Sequence, residues 1–192
     1  MSYGIVGPPW WNEVWIVACG PSGKSFNLAR ANGKTVVPIN SAVHREYPES
    51  AGHHWFQLAI FSADPDWVRG NRYLLATQLG ENHACVALDT HPDLANIPGV
   101  TYLQRCHEDG LSDDPAFLCT GGNSGYAAVN LAYLKGAKDI HLVGFDMDPS
   151  TDPKFEQWIP RFRTMLPQLQ KAGVRVTNHN PHSFIDAFPK EE

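Results

Sequence analysis

The sequence has little charge and no long apolar run, and both shortages narrow the class of protein to which it can belong. Charged residues make up 18% of its 192 positions, below the share of about a quarter that is usual in soluble domains. No stretch approaches the roughly 20 apolar residues of a membrane-spanning helix. The N-terminal stretch MSYGIVGPPWWNEV has neither the basic start nor the apolar core of a secretory signal. We therefore expect a cytoplasmic protein with no membrane partner.

Two further shortages concern partners and metals. The formal net charge is −5 and no cluster of lysine and arginine stands out, which argues against binding to duplex nucleic acid but leaves room for a small anionic ligand. The four cysteines are widely spaced without a C-x-x-C pair, so a zinc site is not expected. Three of the four lie in or beside apolar runs, where buried free thiols are common. This indicates a reducing compartment. The cysteines are Cys19, Cys85, Cys106 and Cys119.

Two catalytic signatures are also absent. Without G-x-S-x-G there is no nucleophile elbow, which disfavours a triad hydrolase. Without G-x-G-x-x-G a nicotinamide dehydrogenase lacks its fingerprint.

Short apolar runs instead alternate with helical stretches along the whole chain. This alternation predicts an α/β fold, a Rossmann-like and mostly parallel sheet with helices on both faces. We expect one domain over 1–192, with 1–13 as an N-terminal extension. Strands are expected at 14–19, 35–39, 55–61, 84–88, 100–103, 139–143 and 174–177. Because of Pro38, we expect 35–39 to be an edge strand or a bulged strand. Helices are expected at 25–31, at 73–79, from the turn at 121–125 through 134, at 154–172 and at 183–188. The helix at 154–172 is expected to break at Pro160 and Pro167.

A glycine-rich turn at 19–24, the first turn, joins a strand to a helix. Gly20, Pro21, Ser22 and Gly23 let the backbone approach a ligand, and the helix N-terminus offers N–H groups to a phosphate. A plain turn that needs glycine only for its geometry is one alternative. A P-loop is another, since 23–25 resembles the end of G-x-x-x-x-G-K-[ST], although Ala18 stands in place of its first glycine.

A second glycine-rich turn at 121–125, the second turn, also opens a helix. Asn123 and Ser124 suit a helix N-cap, and the free N–H groups there suit an anion. Gly122 and Gly125 complete the expected ligand contact, and we expect a side chain added at Gly125 to fill ligand space with little loss of stability. The alternative is a helix cap without a ligand.

Several stretches of the chain together resemble one superfamily. They are a strand ending in Gly-Pro-Ser, a strand ending in Asn40, the Gly-Gly-Asn-Ser-Gly helix start and a strand ending in Gly-Phe-Asp-Met. The superfamily includes the MptE-like 6-hydroxymethylpterin diphosphokinases and the bacterial sialyltransferases that use CMP-sialic acid, and short phage-encoded proteins share the pattern. The matching stretches are 16–24, 36–42, 120–137 and 140–148, with parts of 176–189.

The resemblance implies a nucleotide-binding fold and assigns positions in its cleft. Gly20, Pro21 and Ser22 would lie against the phosphates, Asn40 would contact the nucleotide, Ser124 and Gly125 would lie near the base, ribose or phosphate, and Asp146 would border the cleft. This chain departs from both branches. The diphosphokinases carry a denser acidic motif after the third strand, and the sialyltransferases have additional acceptor-binding segments for which 192 residues leave little room.

Candidate catalytic groups follow the strands. Asp64, Asp66, Asp146 and Asp148 stand just after strands, where a carboxylate holds Mg²⁺ or acts as a base, unless it only caps a turn. We assign Asp64 and Asp66 as metal ligands and Asp64 and Asp146 as catalytic. Of His179 and His182 after the last strand, either suits a general base or a phosphate contact, and we assign His179 as catalytic. The alternatives are an ordinary polar loop and, from their spacing of three, a metal site for which no third ligand is evident.

The favoured function is a nucleotide-dependent transferase, MptE-like, that moves a diphosphoryl group from a nucleoside triphosphate to a small hydroxyl acceptor with Mg²⁺. Three alternatives stay open. They are glycosyl transfer from a CMP- or other nucleotide-sugar, nucleotide binding without catalysis, and a P-loop-type kinase.

Overall fold

The fold is built on one sheet of eight strands in which all the observed pairings are parallel. The computed structural model describes residues 11–44, 57–73, 75, 83–88, 97 and 100–192. The strands are β1 (Glu13–Val17), β2 (Thr35–Pro38), β3 (Gln57–Ser62), β4 (His83–Leu88), β5 (Val100–Cys106), β6 (Phe117–Cys119), β7 (Asp139–Val143) and β8 (Arg175–Asn178). They lie in the order β6-β5-β4-β3-β2-β1-β7-β8.

Helices pack on both faces of this sheet, as predicted. They are α1 (Pro21–Ser25), α2 (Pro65–Gly70), α3 (Ser124–Leu134), α4 (Phe155–Trp158) and α5 (Leu166–Ala172), with 3-10 segments at Leu28–Ala31, Asn40–His44 and Ile159–Met165. Alternate residues of β1 serve the two faces. Val14 and Ile16 join the core that contains α3, whereas Trp15 and Val17 join a second core on the other face. The predicted fold class is confirmed.

The order of the strands places a switch point beside β1. From β1 the chain runs outward through β2 to β6 at one edge, and α3 then returns it to β7 on the opposite side of β1. Ligands of open α/β sheets bind where the strand order reverses, beyond the carboxyl ends of the strands. The region beyond β1 and β7 is therefore where the fold makes room for a ligand.

The helix α3 shows clearly how the sequence sets its own boundaries. Asn123 caps its start by accepting a hydrogen bond from the N–H of Tyr126 at 2.8 Å, as N-cap asparagines do. Gly136, with a φ of 80°, turns the chain away after its end. The residues from Gly125 to Ala132 are buried, so this helix is a central part of the core.

Three predicted elements differ from the structure. Strand β2 is interior, between β1 and β3, because Pro38 is its last residue and the N–H of Ile39 takes over the bond to the carbonyl of Val17. The first helix begins at Pro21 and not near 25. No helix forms over 183–188, because the hydroxyl of Ser183 donates instead to the carbonyl of Phe145 at 2.6 Å.

Further agreements and differences concern the helix breaks, the edge strand and the start of the chain. The breaks at Pro160 and Pro167 are confirmed, since a 3-10 segment separates α4 from α5. The short edge strand β6 was not anticipated. Trp11 is buried and β1 starts at Glu13. Residues 1–10, the start of the strand expected at 55–61 and most of the helix expected at 73–79 lie outside the described residues.

The prediction of free thiols was wrong for two cysteines. Cys106 and Cys119 form a disulfide between β5 and β6, where they are register partners. Cys19 is a free and exposed thiol. Among the helices of the described residues, none combines the length and the apolar content needed to cross a membrane.

Candidate functional site

A cleft of about 970 Å³ opens at the switch point, beyond the carboxyl ends of β1, β2 and β7. Both glycine-rich turns contribute to its lining, as does the segment that follows β7. The site residues predicted from the sequence that line it are Gly20, Pro21, Ser22, Asn40, Asp64, Gly122, Asn123, Ser124, Gly125 and Asp146. The structure thus brings together residues that are up to 126 positions apart, from Gly20 to Asp146.

The first turn is held by the carboxylate of Asp146. Ser22 donates its backbone N–H to Oδ1 at 3.1 Å and its hydroxyl to Oδ2 at 2.8 Å. Asn180 donates its side-chain N–H to Oδ1 at 3.0 Å. Both carboxylate oxygens thus accept hydrogen bonds from the protein, and the carboxylate ties the first turn to the segments that follow β7 and β8.

Gly20 is required by this packing. A Cβ at position 20 would lie 2.1 Å from Asp146 Oδ2 and 2.3 Å from the carbonyl oxygen of Gly144. Gly23 lies outside the cleft lining, and a Cβ there would lie 3.1 Å from Gly144 Cα. The glycines of the first turn therefore let it pack against the end of β7.

The geometry of the first turn argues against a P-loop. Only 18–20 separate β1 from α1, and Gly23 to Ser25 lie inside α1. A P-loop instead needs a longer glycine-rich loop between strand and helix to surround the phosphates.

The second turn places the N-terminus of α3 at the cleft, with Ser124 and Gly125 in the lining. Gly121 and Gly122 have φ values of 49° and 87°, which favour glycine. Since the first N–H groups of a helix have no acceptor within it, those of Ser124 and Gly125 are available to an anion. The arrangement at the N-terminus of α3 suits a phosphate.

Gly125 is also needed for packing, contrary to the expectation that it tolerates a side chain. A Cβ there would lie 2.7 Å from Phe145 Cε1 and 3.1 Å from Asn123 Oδ1. A larger residue would therefore disturb the core as well as the cleft.

Asn40 has a left-handed backbone, with a φ of 50°, which asparagine tolerates better than most residues. Its side-chain Nδ2 lies 3.5 Å from the hydroxyl oxygen of Ser124, which also accepts from the N–H of Ala63 at 3.2 Å. The buried atoms Asn40 Oδ1 and Asn123 Nδ2 have no hydrogen-bond partner among the described residues. They offer an acceptor and a donor to a polar ligand.

The sequence analysis missed Arg105, the one arginine or lysine among the described residues that line the cleft. It donates to Thr120 Oγ1 at 3.2 Å and to the carbonyl oxygen of Ala63 at 3.3 Å. The signal in the sequence that could have identified it is an arginine near the carboxyl end of a strand. Phe155 and Trp158 of α4, which also line the cleft, were missed too.

The predicted magnesium ligands do not form a matched pair. Asp64 lines the cleft, but its Oδ1 caps α2 by accepting from the N–H groups of Asp66 and Trp67. Asp66 forms an exposed ion pair with Arg69 and is not part of the lining. Asp148, at the lining, accepts from the N–H of Ser150 at 2.9 Å. Within the described residues, no three His, Cys, Asp or Glu side chains come together as a metal site.

His179 does not reach the cleft. Its ring is 2.9 Å from His141 Nδ1, and Trp15 stacks on both imidazoles at centroid distances of 4.1 Å for His141 and 5.0 Å for His179. Burial, together with the neighbouring His141, lowers the pKa of His179 to about 4. Burial likewise lowers the pKa of His141. The two histidines therefore pack against Trp15 on the face of the sheet opposite α3.

The histidine that lines the cleft is His182. It is exposed, and its backbone N–H donates to Asn180 Oδ1 at 2.9 Å. The two histidines diverge because the strand alternation continues past β8, so that Asn180 points toward Asp146 while His179 joins the opposite face.

Fold and cleft together define a Rossmann-like α/β domain with a cleft at its switch point, lined by both apolar and polar groups. No protein-family model and no curated protein matches the sequence. A solved structure that resembles it is that of the sialyltransferase CstII from Campylobacter jejuni, in complex with the substrate analogue CMP-3FNeuAc. The TM-score is 0.55 at 16% identity, over 93% of this chain and 84% of that chain. At this identity the likeness shows the fold alone, and the MptE-like and phage-type assignments gain no support from it.

Proposed function

We propose that the protein is a glycosyltransferase that binds a nucleotide-sugar in the cleft and passes the sugar to a small hydroxyl acceptor. The observation that carries the proposal is the convergence of the second turn, Asn40 and Arg105 at the switch point of this fold. The sialyltransferase with a similar fold was solved with a CMP-sugar analogue, which makes a CMP-sugar the first donor to test.

The parts of the cleft suit the parts of such a donor. The N–H groups at the start of α3 and the guanidinium of Arg105 offer positive charge to the phosphate. Asn40 Oδ1 and Asn123 Nδ2, both buried and without partners among the described residues, suit the hydrogen-bonding groups of a base or ribose. Burying these two atoms unpaired is unfavourable, so a ligand that pairs them gains affinity.

The group best placed to accept the proton of the acceptor hydroxyl is His182. It lines the cleft and is exposed, and histidine is the side chain that most often transfers protons in enzymes. Asp146 is less suited, because its oxygens accept bonds from Ser22 and Asn180. Asp146 instead keeps the first turn in place.

The arrangement of the carboxylates near the cleft favours glycosyl over diphosphoryl transfer. Diphosphoryl transfer from a nucleoside triphosphate would depend on Mg²⁺, and Asp64 and Asp66 do not fit a shared ion, since one caps α2 and the other pairs with Arg69 outside the cleft. Diphosphoryl transfer from ATP is the hypothesis that competes with glycosyl transfer.

The test is release of the nucleotide from CMP-sialic acid and from UDP-sugars in the presence of EDTA, with simple sugars or water as acceptor. We expect turnover of a nucleotide-sugar without added metal. His182→Asn should lower the rate by about 10²-fold or more, the usual contribution of a general base, while the exposed His107→Asn should not. Turnover of ATP that requires Mg²⁺, with no turnover of any nucleotide-sugar, would favour the diphosphokinase instead. Binding of a nucleotide without turnover would leave a non-catalytic binding protein.

A further inference from the structure

The disulfide joins the edge strand β6 to its neighbour β5. Strand β6 has three residues and pairs with β5 at Gln104–Phe117, Arg105–Leu118 and Cys106–Cys119. It is the last strand in the sheet order. Beyond these pairings, Leu118 is buried in the core and the N–H of Cys119 donates to Asn130 Oδ1 at 2.9 Å. The S–S bond adds a covalent link between the carboxyl ends of β5 and β6.

This bond stands directly beside the cleft on both strands. Cys119 is followed at once by Thr120 and the second turn. Arg105 precedes Cys106 and donates to Thr120 Oγ1, which also accepts from the N–H of Gly122 at 3.3 Å. A change in the spacing of β5 and β6 is thus passed to the N-terminus of α3.

The loop between the two cysteines is held independently of them. Tyr126 exchanges two hydrogen bonds with the backbone of Gly110, at 2.9 and 2.8 Å. Gln168 exchanges two with the backbone of Leu111, both at 2.6 Å. Because α3 and α5 anchor this loop, opening the disulfide should loosen β6 without unfolding the domain.

The two sulfur atoms differ in accessibility. Cys106 is half-buried and is followed by three exposed residues, whereas Cys119 is 2% exposed. Cys106 Sγ also lies 3.4 Å from the N–H of Glu108, a donor that stabilises a thiolate. An incoming thiolate therefore reaches Cys106 first, and the thiolate that Cys106 later becomes already has a hydrogen-bond donor.

We propose that Cys106 and Cys119 form a thiol–disulfide exchange site, at which a dithiol reductant opens the bond and loosens the second turn. A thiolate of the reductant bonds to Cys106 Sγ, the S–S bond breaks, and Cys119 leaves as a thiolate that takes up a proton. The second thiolate of the reductant then attacks the mixed disulfide and releases Cys106. Two electrons pass to the protein, and the reductant leaves as a disulfide. Oxidation by a disulfide reagent reverses the reaction.

The test uses the full chain in native buffer, before and after dithiothreitol. Iodoacetamide labelling with peptide mass mapping reports the state of Cys106 and Cys119, and hydrogen exchange reports the backbone. We expect both cysteines to become labelled, amide exchange over 117–124 to rise by about tenfold, and exchange over 139–143 to stay unchanged, as for a local opening. Cys106→Ser should show the fast exchange even under oxidant, whereas Cys19→Ser should respond like the parent.

Three results would overturn the proposal. Labelling of the two cysteines only after denaturation would show a purely structural bond. Reduction that leaves exchange over 117–124 unchanged would show that the turn does not depend on the bond, and a rise over the whole sheet would show unfolding instead of a local change. Since no nucleotide is used in these measurements, their outcome does not depend on whether the proposed function is correct.

Discussion

The carboxylate of Asp146 binds Ser22 twice, through the hydroxyl at 2.8 Å and the backbone N–H at 3.1 Å. The two residues are 124 positions apart in the chain. Their contact ties the end of β7 to the start of α1, across the switch point where the cleft opens. The shape of the cleft on this side therefore depends on one carboxylate.

A double-mutant cycle tests this contact. Ser22→Ala removes one hydrogen bond to a charged group and should lower the free energy of unfolding by about 1 kcal/mol, and Asp146→Asn should lower it by about 2 kcal/mol. The double variant should lose less than the sum, with a coupling of about 0.5–1.5 kcal/mol. Urea unfolding measures all four proteins.

The matched control for this cycle is Asp148→Asn, since Asp148 caps only its own local turn by accepting from Ser150. Its effect should stay within about 0.5 kcal/mol. Strict additivity of Ser22→Ala and Asp146→Asn would contradict a direct interaction between the two side chains.

Gly125→Ala should destabilise the protein by about 1–3 kcal/mol, the usual range for overpacking, because its Cβ would lie 2.7 Å from Phe145 Cε1. In a Phe145→Leu background, which lacks the ring atom that is struck, the further loss caused by Gly125→Ala should be smaller. Gly70→Ala is the control, since nothing lies within 4 Å of a Cβ at that position. Equal thermal stability of Gly125→Ala and Gly70→Ala would show that the Phe145 ring can move aside without a loss of stability.

The buried pair His141–His179 predicts loss of stability in acid. Above pH of about 6.5, the ordinary histidine pKa, both rings are neutral in the folded and unfolded chain, so their contribution is constant. Below it the unfolded chain takes up protons that the folded chain refuses, because the pKa of His179 in the fold is about 4 and that of His141 is also lowered. Stability should therefore fall as the pH drops from about 6.5 toward 4, with a slope of up to about 1.4 kcal/mol per pH unit for each histidine.

The measurement compares urea unfolding of the parent and of His179→Gln between pH 8 and pH 4. The carboxylates titrate in both proteins, so the difference between the two curves reports the histidine. We expect a shallower acid slope in the variant. Parallel curves would mean that His179 is protonated as readily in the fold as in the unfolded chain.

Much of the region around α3 was predictable because local signals agree there. The glycines of the second turn, the cap at Asn123 and Gly136 after the helix all mark the boundaries that the structure shows. The convergence of the two turns also followed from the rule that parallel strands finish at one edge of a sheet.

The errors arose where long-range contacts decide. The segment 183–188 has helix-like spacing, but Ser183 bonds to Phe145 and the tail pairs with the end of β8 at Asn178. Arg105 is positioned by Thr120 and Ala63, which are distant from it in the chain. The cap that Asp64 forms on α2 is instead local, and the capping alternative had allowed for it. His179 looked like its neighbour His182, and only the alternation past β8 separates them.

Arg105 should contribute strongly to anion binding, because it is the one arginine or lysine among the described lining residues. Arg105→Met should weaken the binding of CMP by about 10-fold to 100-fold, the scale of a lost hydrogen bond to a charged group. Arg69→Met, on the exposed face of α2 outside the lining, should leave it unchanged. Isothermal titration at fixed ionic strength measures both, and equal affinity for CMP in the parent and Arg105→Met would exclude Arg105 from the phosphate site.

The most direct test of a nucleotide site in the cleft is a thermal-shift titration of the parent and of Asn40→Gly with CMP-sialic acid, CMP, CTP, UDP-sugars, ATP and GTP in EDTA. Glycine adopts the left-handed backbone of position 40 without strain, so this variant removes only the amide side chain. We predict that a nucleotide or nucleotide-sugar raises the Tm of the parent in proportion to ln(1 + [L]/Kd), and that the same ligand shifts Asn40→Gly less. A parent whose Tm no nucleotide raises at about millimolar concentration, or an equal shift in both proteins, would contradict the placement of the site.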